Sequence, residues 1–140
     1  MEIIINKDEC VENLHKQSAH LALKLGAPEY LASTDEDRAR IEPLLNAALG
    51  ELFHLLSPYA QLFYDRNLVR CILSMPPNWK DNQLSTLSEL CNEYVQQELF
   101  ARWLDFVKAD SAVLYRTLNQ NTVSAIKHIL SLRKKPERTV

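Results

Sequence analysis

The sequence predicts a mainly α fold, a bundle of about four helices with a small two-stranded β element near residues 2–6 and 68–75. Long segments place apolar residues at steps of three and four, which is the period of an amphipathic helix. Two short segments rich in β-branched residues interrupt this pattern and favour strands. The predicted connections are short, and short connections favour antiparallel packing of neighbouring helices.

The first strand and the first helix follow each other directly. Residues 2–6, EIIIN, are short and β-branched, and they predict a strand. Asp8 is the expected N-cap of the helix that follows. The apolar face of this helix consists of Val11, Leu14, Ser18, Leu21 and Leu25. Gly26 and Pro28 predict its end.

The second helix has a capping signal at its start. Ser33 or Thr34 is the expected cap, and the acidic residues 35–37 complement the positive end of the helix dipole. The alternative function for these carboxylates is a cation site, but loops that bind hard cations space their ligands with turn residues and a glycine. We expect Pro43 to kink or break the helix, because proline removes a backbone donor.

The middle of the chain predicts a strand after an irregular connection. Ser57–Pro58 is the expected end of the second helix, and residues 59–67 are expected to form a short helical or irregular connector. Residues 68–75, LVRCILSM, lack helical spacing and predict a strand that Pro76 and Pro77 end. We expect this strand to pair with residues 2–6, because a lone strand leaves its backbone groups unpaired. As an edge strand, it would offer its free side to a strand of a neighbouring subunit.

Two long helices complete the predicted fold. Asp81 or Asn82 is expected to open the third helix, which we interpret as the central one. Its apolar face consists of Leu84, Leu87, Cys91, Tyr94, Val95, Leu99, Trp103 and Phe106 or Val107. The last helix begins near Asp110 and carries a stripe of Leu114, Leu118, Ala125, Ile129 and Leu132. No repeat or linker divides the chain, so we expect a single domain over residues 1–140 with a short basic tail at 133–140.

Composition excludes several classes of function. The chain is 46% hydrophobic and 24% charged, as in an ordinary globular protein, and its formal net charge of -2 gives no general attraction to nucleic acid or anionic lipid. No segment approaches the roughly 20 apolar residues that span a bilayer, and no secretory signal is evident. We therefore expect a cytoplasmic protein without membrane contact. With two glycines, the chain also has no material for a phosphate-binding loop or a nucleophile elbow.

The candidate catalytic and metal-binding residues do not form a recognised motif. The histidines lie at positions 15, 20, 54 and 128, and no two of them have the i, i+4 spacing of a helical zinc motif. The cysteines, Cys10, Cys71 and Cys91, are an odd number at wide spacings without a C-x-x-C pair. We interpret them as small buried hydrophobic residues. The sequence therefore predicts no catalytic residue, no cofactor and no metal site, and the protein is not expected to be an enzyme.

Six residues are candidates for contact with a partner. Arg133, Lys134, Lys135 and Arg138 form the one basic cluster of the chain. We favour a role at the carbonyl end of the last helix, which basic residues stabilise before Pro136 stops the helix. The alternative is a basic tail that contacts a phosphate backbone or an acidic partner. Trp79 and Tyr64 complete the set, since aromatic residues at the edge of a small domain are typical of subunit contacts.

Several segments together resemble a known class of proteins. These are DEDRARIEPLLNAALGEL, the LSMPPNW turn after the short strand, YVQQELFARWL in the long helix, and LRKKP near the terminus. From Ala32 to Pro136 the chain resembles small helical proteins encoded in prophage structural clusters. Those look like the head-to-tail adaptor or neck proteins of tailed phages. The resemblance implies a short helical bundle with a small strand element, and portal, tail and sibling subunits as partners.

Two functional hypotheses follow from these observations. The first is a non-enzymatic structural or assembly protein of a phage or prophage, connector-like, which acts through protein–protein contacts in the cytoplasm or within a phage particle. The alternative is a small helical regulatory or adaptor module that binds another protein.

Overall fold

The computed structural model describes residues 1–26 and 31–135, which form four helices and one three-stranded antiparallel sheet. The helices are α1 (Lys7–Leu25), α2 (Arg38–Leu56), α3 (Leu84–Val107) and α4 (Ala109–Ser131). The strands are β1 (Glu2–Asn6), β2 (Ala60–Asp65) and β3 (Leu68–Leu73). The predicted mainly α class and the predicted number of helices are confirmed, and the small β element has one strand more than expected.

The sheet has the order β1-β3-β2, with β3 in the centre. The predicted pairing of the first strand with the strand near residue 70 is confirmed, since Ile3 lies opposite Cys71. Two other predictions were wrong. Strand β3 is not an edge strand, because β2 pairs with its second side and places Leu62 opposite Cys71. Residues 60–65 form β2 instead of an irregular connector, and a two-residue turn containing Arg66, with φ of 54°, joins β2 to β3.

The two faces of the sheet differ in their surroundings. The side chains that face the helices are buried, and they include Ile3, Ile5, Val69 and Cys71. Antiparallel register places the alternate residues on the other face, where Ile4, Arg70 and Phe63 lie side by side and are exposed. We call these the inner and outer faces of the sheet.

Helix α3 is the central element, as its long apolar face predicts. It packs against all three other helices and against β1. Its buried residues are Leu87, Cys91, Tyr94, Val95, Leu99, Phe100, Ala101, Trp103 and Leu104. Trp103 also links α3 to the segment before α2, because its Nε1–H donates to the carbonyl oxygen of Leu31 at 2.8 Å. Among the described residues, no helix is long and apolar enough to cross a membrane.

Both ends of α1 follow local capping chemistry. Helix α1 begins two residues earlier than expected. Its N-cap is Asn6 and not Asp8, because the side chain of Asn6 accepts hydrogen bonds from the backbone N–H groups of Asp8 and Glu9. The helix ends at Gly26, whose φ of 59° is left-handed. The predicted stop at Pro28 lies outside the described residues.

Thr34, one of the two predicted caps, is the N-cap residue of a short 3-10 turn before α2 and not of α2 itself, and Pro43 does not end the helix. The backbone N–H of Thr34 donates to the carboxylate of Asp37 at 2.9 Å, at the start of a short 3-10 turn that leads into α2. The acidic residues 35–37 therefore lie at the N-terminal end of the helix, as the capping interpretation predicts. Helix α2 continues through Pro43. Because proline has no backbone N–H, a single carbonyl near the start of the helix loses its hydrogen bond.

The predicted apolar stripe of α4 was partly wrong. Leu114 and Leu118 are 58% and 47% exposed, whereas Asn119 and Thr122 are buried. The polar residues face α3, where the amide of Asn119 donates to the Tyr94 carbonyl oxygen at 3.4 Å and the Thr122 hydroxyl donates to Gln97 at 3.2 Å. Polar residues of α4 thus form part of its contact with α3, and part of the predicted apolar stripe is exposed.

Trp79 fastens the segment after β3 to the end of α4. Its side chain is only 2% exposed, and its Nε1–H donates to the carbonyl oxygen of Ile129 at 2.9 Å. The backbone N–H of Lys134 donates to the carbonyl oxygen of Asn78 at 2.6 Å, and Arg133 forms an isolated β-bridge with Trp79. The expected packing of Trp79 against the core is confirmed.

We expect Trp79→Phe to lower the free energy of unfolding by about 1–3 kcal/mol, because it leaves the buried carbonyl of Ile129 without its donor. Urea denaturation followed by circular dichroism measures the change. Lys135→Ala, at an exposed position of the same region, is the control and should change the unfolding free energy by less than about 0.5 kcal/mol. Equal effects of the two substitutions would show that the indole hydrogen bond does not anchor α4.

Candidate functional site

An open apolar groove of about 470 Å³ lies between helix α2 and strand β2. Its lining consists of Gly50, Phe53, Gln61, Leu62, Phe63 and Tyr64. Phe63 and Tyr64 are 51% and 58% exposed, although aromatic side chains of this size are usually buried when a protein offers them a core. We call this feature the β2 groove. Its lining residues include no charged side chain, so an occupant would be recognised by apolar contact and backbone hydrogen bonds.

Within residues 1–26 and 31–135, no strand pairs with the second side of β2, and this free edge borders the β2 groove. The carbonyl of Tyr59 accepts a hydrogen bond from the N–H of Ser74 at 2.7 Å. This bond determines which residues of β2 form hydrogen bonds with β3, because bonded and non-bonded pairs alternate along antiparallel strands. Residues 61, 63 and 65 therefore exchange hydrogen bonds with β3. The N–H and C=O groups of Ala60, Leu62 and Tyr64 point the other way, towards the free edge.

The opposite edge of the sheet is less accessible. The same alternation directs the backbone groups of Ile4 away from β3, since Leu73 donates to the Met1 carbonyl at 2.9 Å. The carbonyl of Ile4 accepts a hydrogen bond from the side chain of Asn92 on α3 at 3.3 Å. Natural edge strands are commonly protected by such cover, by lysine, by proline or by a bulge. Strand β2 contains neither lysine nor proline, and its register with β3 is unbroken.

Gly50 forms part of the groove without an evident role in the fold. It lies inside α2, where glycine costs about 0.5–1 kcal/mol relative to alanine. Its backbone is not left-handed, and a Cβ at this position would meet no atom within 4 Å. The described part of the chain therefore requires glycine at position 50 neither for conformation nor for packing. What the missing side chain provides is space in the β2 groove.

The five predicted contact residues that the structure describes lie in different environments. Tyr64 lines the β2 groove, whereas Trp79 is in the core and offers no surface to a partner. Arg133 donates to the carbonyl oxygens of Leu130 and Leu132 at 2.7 and 2.8 Å, which agrees with the favoured role at the end of α4.

The other basic candidates, Lys134 and Lys135, differ in their contacts. Lys134 pairs with Asp81 at 3.5 Å, and Lys135 is exposed. Arg138 lies outside the described residues. Arg133 and Lys134, the first residues of the expected basic tail, therefore contact the folded structure, and residues 136–140 lie outside the described residues. Sequence reasoning did not select the other five lining residues of the groove, because it did not recognise β2 as a strand and so could not place α2 beside it: Gly50, Phe53, Gln61, Leu62 and Phe63.

A polar cluster near the start of α2 has the residue types of a hydrolytic triad. Nδ1 of His15 lies 2.6 Å from the hydroxyl oxygen of Ser33, and its Nε2 lies 3.2 Å from the carboxylate of Asp35. A catalytic serine needs an open site for its substrate. Ser33 is instead buried, and its backbone N–H donates to the hydroxyl oxygen of Ser18 on α1 at 2.9 Å. We interpret the cluster as a fastening between α1 and the segment that precedes α2.

All three cysteines lie in the core, as predicted. Burial raises the pKa of Cys71 to about 11, and burial together with Glu9 raises the pKa of Cys10 to about 11. Burial also raises the pKa of Cys91, to which the nearby Cys71 contributes. No group of three or more metal-ligating side chains comes together within residues 1–26 and 31–135.

We expect the native protein to react slowly with Ellman's reagent at pH 7. A pKa of about 11 leaves about one thiol in 10,000 ionised at that pH, and burial also blocks access to it. All three thiols should react at once in guanidinium chloride, which serves as the control. A thiol that reacts rapidly in the native protein would contradict the assignment of the cysteines to the core.

We expect Gly50→Ala to raise the free energy of unfolding of dilute protein by about 0.5–1 kcal/mol, because alanine favours the helix and its Cβ has open space. Chemical denaturation measures this change. Gly26→Ala is the matched control and should lower the unfolding free energy by about 1–2 kcal/mol, since Gly26 has a left-handed φ. Destabilisation by Gly50→Ala would mean that the fold itself requires the glycine.

No protein-family model, no curated protein and no solved structure matches this chain.

Proposed function

We propose that this chain is a non-enzymatic assembly protein that acts through protein–protein contact, and that the β2 groove accepts an extended strand of a neighbouring subunit. The observation that carries the proposal is the free edge of β2 beside an open apolar groove. Edge and groove together offer what strand addition requires. Backbone hydrogen bonds supply affinity, and alternate side chains supply specificity.

The chemistry of recognition follows from the two faces of the sheet. An added strand would form hydrogen bonds with the outward-pointing groups of Ala60, Leu62 and Tyr64. Its alternate side chains would pack on the inner face beside Phe53 and over Gly50. The remaining side chains would lie on the outer face beside Phe63, which is now half exposed. Strand addition would therefore bury aromatic surface on both faces.

The finer proposal is a connector-like structural protein of a tailed phage or prophage. It is supported by the resemblance of the segments between Ala32 and Pro136 and by a surface suited to repeated subunit contact. Its partners would be sibling subunits, portal or tail proteins. It would act in the cytoplasm or within the assembled particle, without a cofactor or a catalytic step.

A second candidate function is that of a regulatory or adaptor module. Val113, Leu114 and Leu118 form an exposed apolar stripe on α4, and none of them lines the β2 groove. A stripe with this helical spacing suits packing against a helix of another protein. In this case the partner would be a cellular protein, and the β2 edge would not take part.

Photo-crosslinking in the cells that naturally contain the protein tests these proposals. Benzoylphenylalanine is placed at position 63 in the β2 groove, at position 118 on α4, or at the exposed position 16 on α1 as a control. We expect crosslinks from position 63 to exceed the control, and mass spectrometry identifies the captured chain. A sibling subunit or a virion protein would support the connector-like role.

The other outcomes contradict that role. Crosslinks from position 118 alone, to a cellular regulator, would favour the adaptor module instead. Crosslinks from both positions at the level of the control would remove the support for either protein-contact function.

A further inference from the structure

We propose that a second copy of this chain occupies the β2 groove, so that two β2 strands pair antiparallel around a two-fold axis and form one continuous six-stranded sheet. This inference rests on the proposed function and names the partner at the same site. The two-fold axis stands perpendicular to the sheet. Both inner faces then lie on the same side, and both chains use the same residues in the contact.

Strand geometry restricts how the two copies can align. Paired residues of neighbouring antiparallel strands share a face, so inner-face residues must lie opposite inner-face residues. The backbone groups that point to the free edge belong to Ala60, Leu62 and Tyr64, which all have inner-face side chains. Residues 60, 62 and 64 of one copy must therefore lie opposite residues 60, 62 or 64 of the other. This holds when the two-fold axis passes through a residue of β2, and fails when the axis passes between two residues.

The alignment centred on Phe63 matches the side chains best. It places Phe63 opposite Phe63 of the second copy, and Leu62 opposite Tyr64. Gln61 then lies opposite Asp65, so an amide donor meets a carboxylate twice in the dimer. An alignment centred on Tyr64 would instead place Phe63 against a carboxylate, and one centred on Leu62 would place Gln61 against Phe63. The edge of β2 is therefore complementary to itself in one register.

Gly50 gives this alignment a place for an aromatic ring. Tyr64 of the second copy would lie opposite Leu62 on the inner face, beside α2. There the groove is formed by Gly50 and Phe53, and a Cβ at position 50 would face open space. A larger residue would fill the space that the ring of Tyr64 enters. The same contact explains why Tyr64 and Phe53 are exposed in a single chain.

The opposite edge of the sheet limits the assembly to a pair. Head-to-tail growth would require β2 of one copy to pair with β1 of the next. On that edge the carbonyl of Ile4 already accepts a hydrogen bond from the side chain of Asn92, and α3 packs against β1. Pairing through β2 on both sides leaves no second free β2 edge. The expected product is a closed dimer.

Analytical ultracentrifugation of the full chain, from micromolar to millimolar concentration, tests the pairing. We expect a monomer–dimer equilibrium. Gln61→Lys should lower the Kd about twofold to thirtyfold, because it places an ammonium opposite Asp65 in two symmetric cross-strand pairs. Gln61→Asp should raise the Kd by a similar factor, since it places like charges opposite each other. The two variants alter the same exposed position, so their folding stability serves as the internal control.

Two further variants test the groove. Gly50→Leu should abolish dimerisation while the monomer stays folded, because the new side chain fills the β2 groove and meets no atom of its own chain at Cβ. Leu118→Gln, on the exposed stripe of α4, should leave the Kd unchanged. Loss of the dimer with Leu118→Gln, and not with Gly50→Leu, would assign self-association to α4 and overturn the inference.

Amide hydrogen exchange measured by NMR gives a readout of the strand pairing itself. The N–H groups of Leu62 and Tyr64 should become protected as the concentration rises through the Kd. Those of Gln61 and Phe63 already bond to β3 and should be protected at every concentration. A dimer in which Leu62 and Tyr64 stay unprotected would overturn the pairing.

Pairing with a second copy and the proposed assembly function are contradicted by different results. A strict monomer at millimolar concentration overturns pairing with a second copy, while position 63 can still crosslink to a different protein and support the assembly function. A monomer without crosslinks from position 63 contradicts both. A dimer whose Kd follows the charges at position 61 supports the inference.

Discussion

The backbone pairing of β1 and β2 on the two sides of β3 is the constraint on which the rest of the structure depends. It satisfies both edges of β3 and gives the sheet one inner face, on which the buried isoleucines Ile3 and Ile5 pack against the helices. The alternation of antiparallel hydrogen bonds then determines which groups of β2 point outward. The chemistry of the exposed edge thus follows from pairing inside the fold.

The β2 groove combines local features that are unfavourable or neutral for a single chain. Glycine inside α2 costs helix stability, exposed Phe63 and Tyr64 leave apolar surface in water, and the edge of β2 has no lysine, proline or bulge. Each of these features is common in isolation. Their coincidence in one groove gives them a common explanation, because an added strand would use all of them.

Much of the fold could be predicted from the sequence where local signals were strong. The isoleucine run of β1, the long apolar face of α3 and the acidic start of α2 each specify their element through periodicity or capping. Strand β2 was missed because its residues include no valine, isoleucine or threonine, and its turn contains no glycine. The exposed Leu114 and Leu118 were placed inside because helical spacing identifies a stripe but not which stripe faces the core.

The candidate site was even less accessible to sequence reasoning. Tyr64 was identified as a contact residue, but Gly50 and Phe53 come from a different element and meet β2 only in the folded chain. By itself the sequence determined the helical class, the central helix and the pairing of β1 with β3, because these follow from local periodicity and from the need to satisfy backbone groups. Only the tertiary structure decided which strand is the free edge, since that depends on which segment competes for the second side of β3.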